Sequence, residues 1–178
     1  SNDNNDKIDY SFEIKDDRVT ISERRRGSPI DKVVSELMIY VNTEWGKQLT
    51  EAGITGIFRS QANGKVKMST SPAPHQGLGV SQYTWSSSPM RRYVDLINQR
   101  QIIALLRKEA PPYQKDSHSL LVAMRDFDAA YNIYGEFQRS MERYWCLRWL
   151  LQENIQITNA QVIKENLVKL DHIPLITR

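Results

Sequence analysis

Two adjacent arginines, Arg91 and Arg92, stand near the start of the segment 86–100, just after three serines and a proline. Apolar residues recur around the two arginines and after them at helical spacing: Met90, Val94, Ile97 and Leu105. The segment therefore predicts a helix with Ser88 at its N-cap and Pro89 in its first position. Cations are unfavourable at the positive end of a helix dipole. Two guanidiniums beside free helix-start amides nevertheless form a strong binding site for an anion such as phosphate.

The composition of the 178 residues is that of an ordinary globular protein, with 40% hydrophobic and 25% charged residues. No apolar run approaches the ~20 residues of a membrane span, so no membrane partner is expected. The single cysteine, Cys146, excludes an internal disulfide and a cysteine zinc site, and its helical context predicts a buried thiol. A cytoplasmic location is expected from this cysteine usage. The net charge of +3 is compatible with a nucleic-acid partner.

The first half of the chain alternates between strand and helix patterns. Alternating apolar residues over 10–21 predict a β-hairpin with one buried face. A serine and a proline open an amphipathic helix that is expected to extend over 29–51. A short buried strand is expected at 56–61. Residues 62–80 are rich in glycine, serine and proline, and are expected to form a long loop.

The second half is predicted to be helical and then extended. The helix of the arginine pair should end near Lys108, before two prolines. The longest helix is expected over 117–153, with an aromatic and aliphatic stripe that serves as packing surface. Three short extended runs follow: 160–164, 166–170 and 173–176.

These elements together predict an α+β fold that is mostly helical and has a small mixed or antiparallel sheet. Residues 1–9 are polar and acidic, and are expected to be a disordered entry or a tag remnant. Residues 10–153 are expected to form the main domain, and residues 154–178 a short β region.

The run 87–96, S-S-P-M-R-R-Y-V-D-L, resembles T-S-P-(I/L)-R-(R/K)-Y-x-D-(L/M), the signature of the RNB catalytic domain of ribonuclease II and ribonuclease R exoribonucleases. Segments 36–42, 56–61 and 75–79 resemble the family's motifs E-x-M-(I/L)-x-x-N, (A/G)-(L/I)-(Y/F)-R-x-(H/Q) and H-x-G-L-G. The resemblance covers residues 10–178. It implies the C-terminal portion of an RNB domain followed by the start of an OB-fold RNA-binding region.

The resemblance also implies roles for single side chains. Arg91 is expected to contact the scissile phosphate, and Arg92 to support either the fold or the RNA backbone. Glu36 is implicated in contacting the ribose of the terminal nucleotide, the alternative being a surface glutamate on an amphipathic helix. For Arg59 two roles stay open, since it either helps to set the RNA channel or pairs with an acid of the fold.

Five further residues belong to the predicted nucleotide-binding surface. His75 is expected to be structural or to line the RNA path. Ser87 and Tyr93 lie in the signature, and Tyr93 should also anchor the helix together with Asp95. Gln138 and Arg139 fall in a segment that resembles the family's region where a polar or acidic side chain approaches the active site, and either Gln138 or Glu142 takes the place of the family's glutamate.

The activity that the resemblance implies is hydrolytic 3′-to-5′ degradation of single-stranded RNA to nucleoside 5′-monophosphates, with Mg²⁺ as cofactor. The family binds this metal through a D-x(n)-D-x-D-D cluster, which this sequence does not contain. A missing N-terminal half of the RNB domain is therefore expected as a partner that supplies the metal ligands. No metal ligand is assigned here, and the fragment alone is expected to be inactive.

Two alternatives to the exoribonuclease remain. The chain could be a catalytically dead RNB-like module that binds RNA. It could also be a helical scaffold with coincidental arginines, which the length of the signature disfavours.

Overall fold

The computed structural model describes residues 8–25 and 28–178. The chain forms two compact units. The terminal unit consists of the described parts of residues 1–31 and 132–178, and the central unit of residues 32–131. Of the predicted entry segment, only Ile8 and Asp9 are described, and they open the first strand. The predicted domain boundary after residue 153 stays a prediction. Among the described residues, no helix is long and apolar enough to cross a membrane.

The terminal unit begins with the predicted hairpin, which is confirmed. Strand β1 (Ile8–Lys15) pairs antiparallel with β2 (Arg18–Arg25). The two turn residues, Asp16 and Asp17, have φ angles of 48° and 62°. Positive φ at both central positions is what a two-residue hairpin turn requires, and aspartate accepts it more readily than most residues.

A small core holds the hairpin within the terminal unit. Buried Cys146, Ile173 and Leu175 form its centre, and Phe12 and Ile21 of the hairpin pack against it. The prediction of a buried cysteine is thus confirmed. Burial raises the pKa of the thiol to about 11, and the charge of Glu142 adds to this effect.

The longest helix, α3 (His118–Gln152), matches its prediction closely. Its stripe is less uniformly buried than expected, since Leu120 is buried whereas Tyr134 is 64% exposed. Three antiparallel strands follow, numbered in chain order after the two strands of the central unit: β5 (Ala160–Lys164), β6 (Leu167–Leu170) and β7 (Ile176–Thr177), with β6 between the other two. The last begins later than predicted because Pro174 has no amide hydrogen for a ladder.

Helix α1 (Pro29–Glu51) has its predicted bounds. The Ser28 hydroxyl accepts the Asp31 amide at 3.1 Å as an N-cap, and Gly53 lies just beyond the helix with φ 66°. The amphipathic face is buried only in the C-terminal half of the helix. Four apolar residues of its first half are more than half exposed: Ile30, Val33, Val34 and Leu37.

The prediction of an uninterrupted loop over 62–80 is wrong. Strand β3 (Phe58–Ala62) continues through a tight turn into β4 (Lys65–Ser69). Asn63 and Gly64 occupy the turn with φ angles of 50° and 76°. An Asn-Gly pair between two strands is a strong hairpin signal, and the abundance of glycine, serine and lysine around it concealed the signal.

The start predicted for the helix of the arginine pair is also wrong. Helix α2 spans Tyr93–Arg107, and Arg92 is its N-cap in an extended conformation. The preceding residues form a turn in which the amides of Arg91 and Arg92 donate to the Ser88 carbonyl at 3.2 and 3.1 Å. The side chain of Asp95 fixes this turn by accepting the Ser88 amide at 2.8 Å. Neither arginine therefore lies in the first helical turn.

Buried amide side chains of α2 bind the backbone of neighbouring segments. The Asn98 carboxamide accepts the Ile57 amide at 2.7 Å and donates to the carbonyls of Ile57 and Trp85 at 3.0 and 2.8 Å. The Gln101 carboxamide binds the Thr55 carbonyl and both backbone groups of Tyr113. These contacts satisfy backbone groups that no sheet reaches.

We expect Gln101→Ala to lower the free energy of unfolding by about 2–4 kcal/mol, because it leaves three partly buried backbone groups without partners. Gln48→Ala is the matched control, since Gln48 is an exposed glutamine on α1. It should change stability by less than about 0.5 kcal/mol. Urea denaturation followed by tryptophan fluorescence measures both, and equal effects would contradict this role of Gln101.

Candidate functional site

The two neighbouring arginines have opposite environments. Arg91 is exposed, and its guanidinium donates a long hydrogen bond to the Ser88 hydroxyl at 3.5 Å. Within the part of the chain that the structure describes, no carboxylate pairs with it. Its charge is therefore available to an anion in solution.

Arg92 belongs to the interior of the central unit, where it is 8% exposed. Its guanidinium donates to Asp95 Oδ1 at 2.7 Å, and Asp95 has no exposed surface. The same oxygen accepts the Ser88 amide. One buried carboxylate thus holds both the turn and the second arginine, which favours the fold-supporting alternative for Arg92.

The indole of Trp85 carries two guanidiniums. The Arg59 guanidinium carbon lies 3.9 Å from the ring centroid and that of Arg92 lies 4.1 Å from it. A cation–π contact of this kind contributes up to about 2 kcal/mol where water is excluded. Trp85 is itself buried among Ile57, Tyr83 and other core residues.

Arg59 differs from Arg92 in having no acidic partner among the described residues. This favours the alternative in which Arg59 helps to set the RNA channel, and that role stays a prediction. Burial lowers the pKa of its guanidinium, and the positive charge of Arg92 acts in the same direction. The nearby phenols of Tyr131 and Tyr83 oppose this shift.

Asn42 of α1 connects the helix to the serine run. Its amide nitrogen donates to the hydroxyls of Tyr83 and Ser87, both at 3.2 Å, and its amide oxygen accepts the Ser86 amide at 3.1 Å. Its carbonyl accepts the Thr84 hydroxyl at 2.7 Å. Ser87 is thereby half-buried and oriented. The sequence held a signal for this role, because Asn42 ends the motif that begins at Glu36.

The remaining candidates of the central unit are dispersed. Glu36 is exposed on α1. Tyr93 is 48% exposed, and its pKa is raised by a hydrogen bond with the Tyr113 phenol. His75 is buried, with its ring centroid 5.8 Å from that of Tyr83 in an edge-to-face arrangement, and burial lowers its pKa. The nearby charge of Arg59 lowers it further. This environment favours the structural alternative for His75.

Gln138 and Arg139 belong to the terminal unit, where both are exposed. Gln138 donates to Glu142 at 3.0 Å and lines an open cavity with Tyr10 and Lys169. The central unit therefore brings together four of the candidates: Arg91, Arg92, Arg59 and Ser87. Sequence reasoning missed the two residues that organise this group, Trp85 and Asn42.

The described residues do not offer a site for the Mg²⁺ that the resemblance implies. Over residues 8–25 and 28–178, no group of three or more histidine, cysteine, aspartate or glutamate side chains is arranged to hold a metal ion. No chemical step is therefore assigned to a metal bound by this chain.

The sequence around the site is similar to that of known proteins. Residues 60–108 match the family model of the RNB domain. A segment of 59 residues is 39% identical to Exoribonuclease 2 of Erwinia tasmaniensis, and covers 33% of this chain and 9% of that protein. A segment of 54 residues is 41% identical to Exoribonuclease 2 of Haemophilus influenzae, and covers 30% of this chain and 8% of the relative. The matches thus span under a tenth of the length of these relatives.

Solved structures share the fold over nearly the whole chain. An active-site mutant of the Dss1 exoribonuclease from Candida glabrata superposes with a TM-score of 0.77 at 22% identity, over 92% of this chain and 25% of that one. RNase R of Mycoplasma genitalium in complex with double-stranded RNA gives 0.74 at 15% identity, over 95% and 41%. The predicted α+β fold and the resemblance to RNB-domain exoribonucleases are confirmed.

We expect Asp95→Asn to lower the free energy of unfolding by about 3 kcal/mol, because it leaves the buried Arg92 charge without its counterion. The matched control is Asp126→Asn, which breaks an exposed pair with Arg125 and should cost less than about 0.5 kcal/mol. Thermal or urea unfolding compares the two. A buried variant as stable as the exposed one would refute the role given to Asp95.

His75 should make stability depend on pH. Because its folded-state pKa is lowered, the unfolded chain binds more protons, and stability falls as the pH drops below the unfolded value of about 6.5. We expect His75→Gln to flatten this decline, whereas His118→Gln, at an exposed position, should leave it unchanged. Unfolding free energies measured between pH 7.5 and about 5 test this, and parallel curves for all three proteins would contradict it.

Proposed function

We propose that this chain, whose residues 60–108 match the family model of the RNB domain, forms part of a hydrolytic 3′-to-5′ exoribonuclease that degrades single-stranded RNA to nucleoside 5′-monophosphates. The fold shared with the Dss1 and RNase R structures supports this proposal. The match to the RNB domain includes the whole arginine turn. RNA is the proposed partner, and a cytoplasmic location remains a prediction.

The exposed guanidinium of Arg91 is the observation that carries the proposal. Its neighbour Arg92 is already neutralised by Asp95, whereas Arg91 stands on a turn closed by Asp95 and pairs with no acid among the described residues. The planar fork of a guanidinium matches two oxygens of a phosphate group. Arg91 is therefore proposed to bind the scissile phosphate and to stabilise the negative charge that develops on it.

Arg91 cannot provide the attacking water. In the parent enzyme, Mg²⁺ would supply that chemistry by activating water and neutralising the phosphate. Since the described residues do not fit the metal, we propose that its ligands belong to the N-terminal half of the RNB domain, outside this chain. On this proposal the 178-residue chain by itself has no nuclease activity.

A catalytically dead RNA-binding module is the second candidate. The observation that favours it is the same lack of a metal-ligand group among the described residues. An aspartate cluster in the coding sequence upstream of Asp3 would favour the enzyme, and its absence from the complete protein would favour the binding module.

In the complete enzyme, we expect Arg91→Ala to lower single-turnover cleavage of 5′-labelled single-stranded RNA by about 100-fold or more. RNA affinity should fall much less, because many other phosphate contacts remain. Arg107→Ala, at an exposed position near the end of α2, is the control and should preserve both. Turnover equal to that of the wild type would refute the role of Arg91. A wild type that binds RNA without cleaving it would favour the binding module.

A further inference from the structure

Arg59 is a partly buried cation whose counterion is not provided by the described residues. It is anchored on β3, where its backbone amide donates to the Tyr83 carbonyl at 2.8 Å. Its buried Nε atom has no hydrogen-bond acceptor among these residues. The stacking contact with Trp85 is its main side-chain interaction.

The charges around Trp85 do not cancel. The guanidiniums of Arg59 and Arg92 both lie over the Trp85 ring. Of the two, Arg92 alone pairs with a carboxylate of the described residues, that of Asp95. A π face attracts a cation but carries no net charge. One positive charge therefore remains without compensation in a partly desolvated place, which is costly unless an anion arrives.

Stacking has a consequence that an ion pair would not have. A carboxylate would orient Arg59 and also neutralise it, leaving little attraction for a ligand. An aromatic ring restricts the guanidinium to one plane and preserves its full charge for an incoming anion. The tertiary structure thus fixes one arginine by charge, Arg92, and the other by stacking.

We propose that Arg59 is a second phosphate-binding residue, separate from Arg91, and that Trp85 is the positioning residue that holds it. The ligand class is a phosphodiester of single-stranded RNA, so the inference rests on the proposed function for the identity of the ligand. A phosphodiester carries a single negative charge, which matches the one uncompensated guanidinium. Tyr131 is 45% exposed, and its ring lies 5.8 Å from that of Trp85 between centroids and is tilted by 59°, so it borders the same place.

The test is the affinity of the 178-residue chain for a fluorescently labelled single-stranded RNA, measured by anisotropy at several salt concentrations. Arg59→Met should weaken binding about tenfold, as expected for loss of a charged hydrogen-bonding partner. It should also reduce the slope of log affinity against log salt by about 0.7, the value for one phosphate contact on a single strand. Arg107→Met, which removes an exposed arginine outside the site, should leave the slope unchanged.

The positioning role of Trp85 must be distinguished from a contribution to folding alone. Trp85→Leu removes the ring and should reproduce the affinity and slope of Arg59→Met, whereas Trp85→Phe keeps a ring and should restore most of both. Circular dichroism reports whether each variant is folded. If Trp85→Leu does not fold, the comparison of Trp85→Phe with Arg59→Met still decides, because loss of the slope in Trp85→Phe would overturn the positioning role.

The outcomes separate this inference from the proposed function. A wild-type chain that binds RNA with a clear salt dependence, together with an Arg59→Met variant that has the same affinity and slope, overturns the inference and leaves the proposed function standing. A wild-type chain that does not bind RNA at any salt concentration contradicts RNA binding by this chain and overturns the inference as well.

Discussion

The candidate site of the central unit depends on the two hydrogen bonds that the Asp95 carboxylate accepts. A single buried oxygen accepts the Ser88 amide from the turn and the Arg92 guanidinium from the helix start. Burial of an ion pair contributes little net stability, because desolvation offsets the attraction. Its effect is geometric, since the turn that presents Arg91 to solvent is closed by this carboxylate.

The segments around the site are also held by buried polar side chains. Short strands in the central unit leave many backbone groups without ladder partners, and buried amide side chains take their place. Asn98 and Gln101 on α2 bind segments far apart in the chain, and Asn42 on α1 binds the serine run. Each of these amides both donates and accepts. Those of Asn98 and Gln101 satisfy backbone amides and carbonyls at once, whereas that of Asn42 binds one backbone amide and two side-chain hydroxyls. A polar network of this kind fixes loops that apolar packing alone would leave free to shift.

The structure uses three different ways to hold an arginine. Arg92 is held by a carboxylate and lies over the Trp85 ring. Among the described residues, Arg59 lies over the same ring without a carboxylate, and Arg91 binds a serine hydroxyl and no acid. Arg92 therefore serves the fold, whereas the charges of Arg59 and Arg91 are available to a ligand. This division explains how adjacent residues of the same type acquire different chemistry.

The sequence by itself determined the long helices, the first hairpin and the family resemblance, because these depend on local periodicity, caps and a contiguous motif. Helix α1 was predicted to its terminal residues by a serine cap and a glycine stop. Which arginine stays available was decided only by the tertiary structure, since it depends on where Asp95 and Trp85 lie in space. The same is true of the start of α2 at Tyr93, where a side-chain contact with the preceding turn overrides the Ser-Pro helix signal.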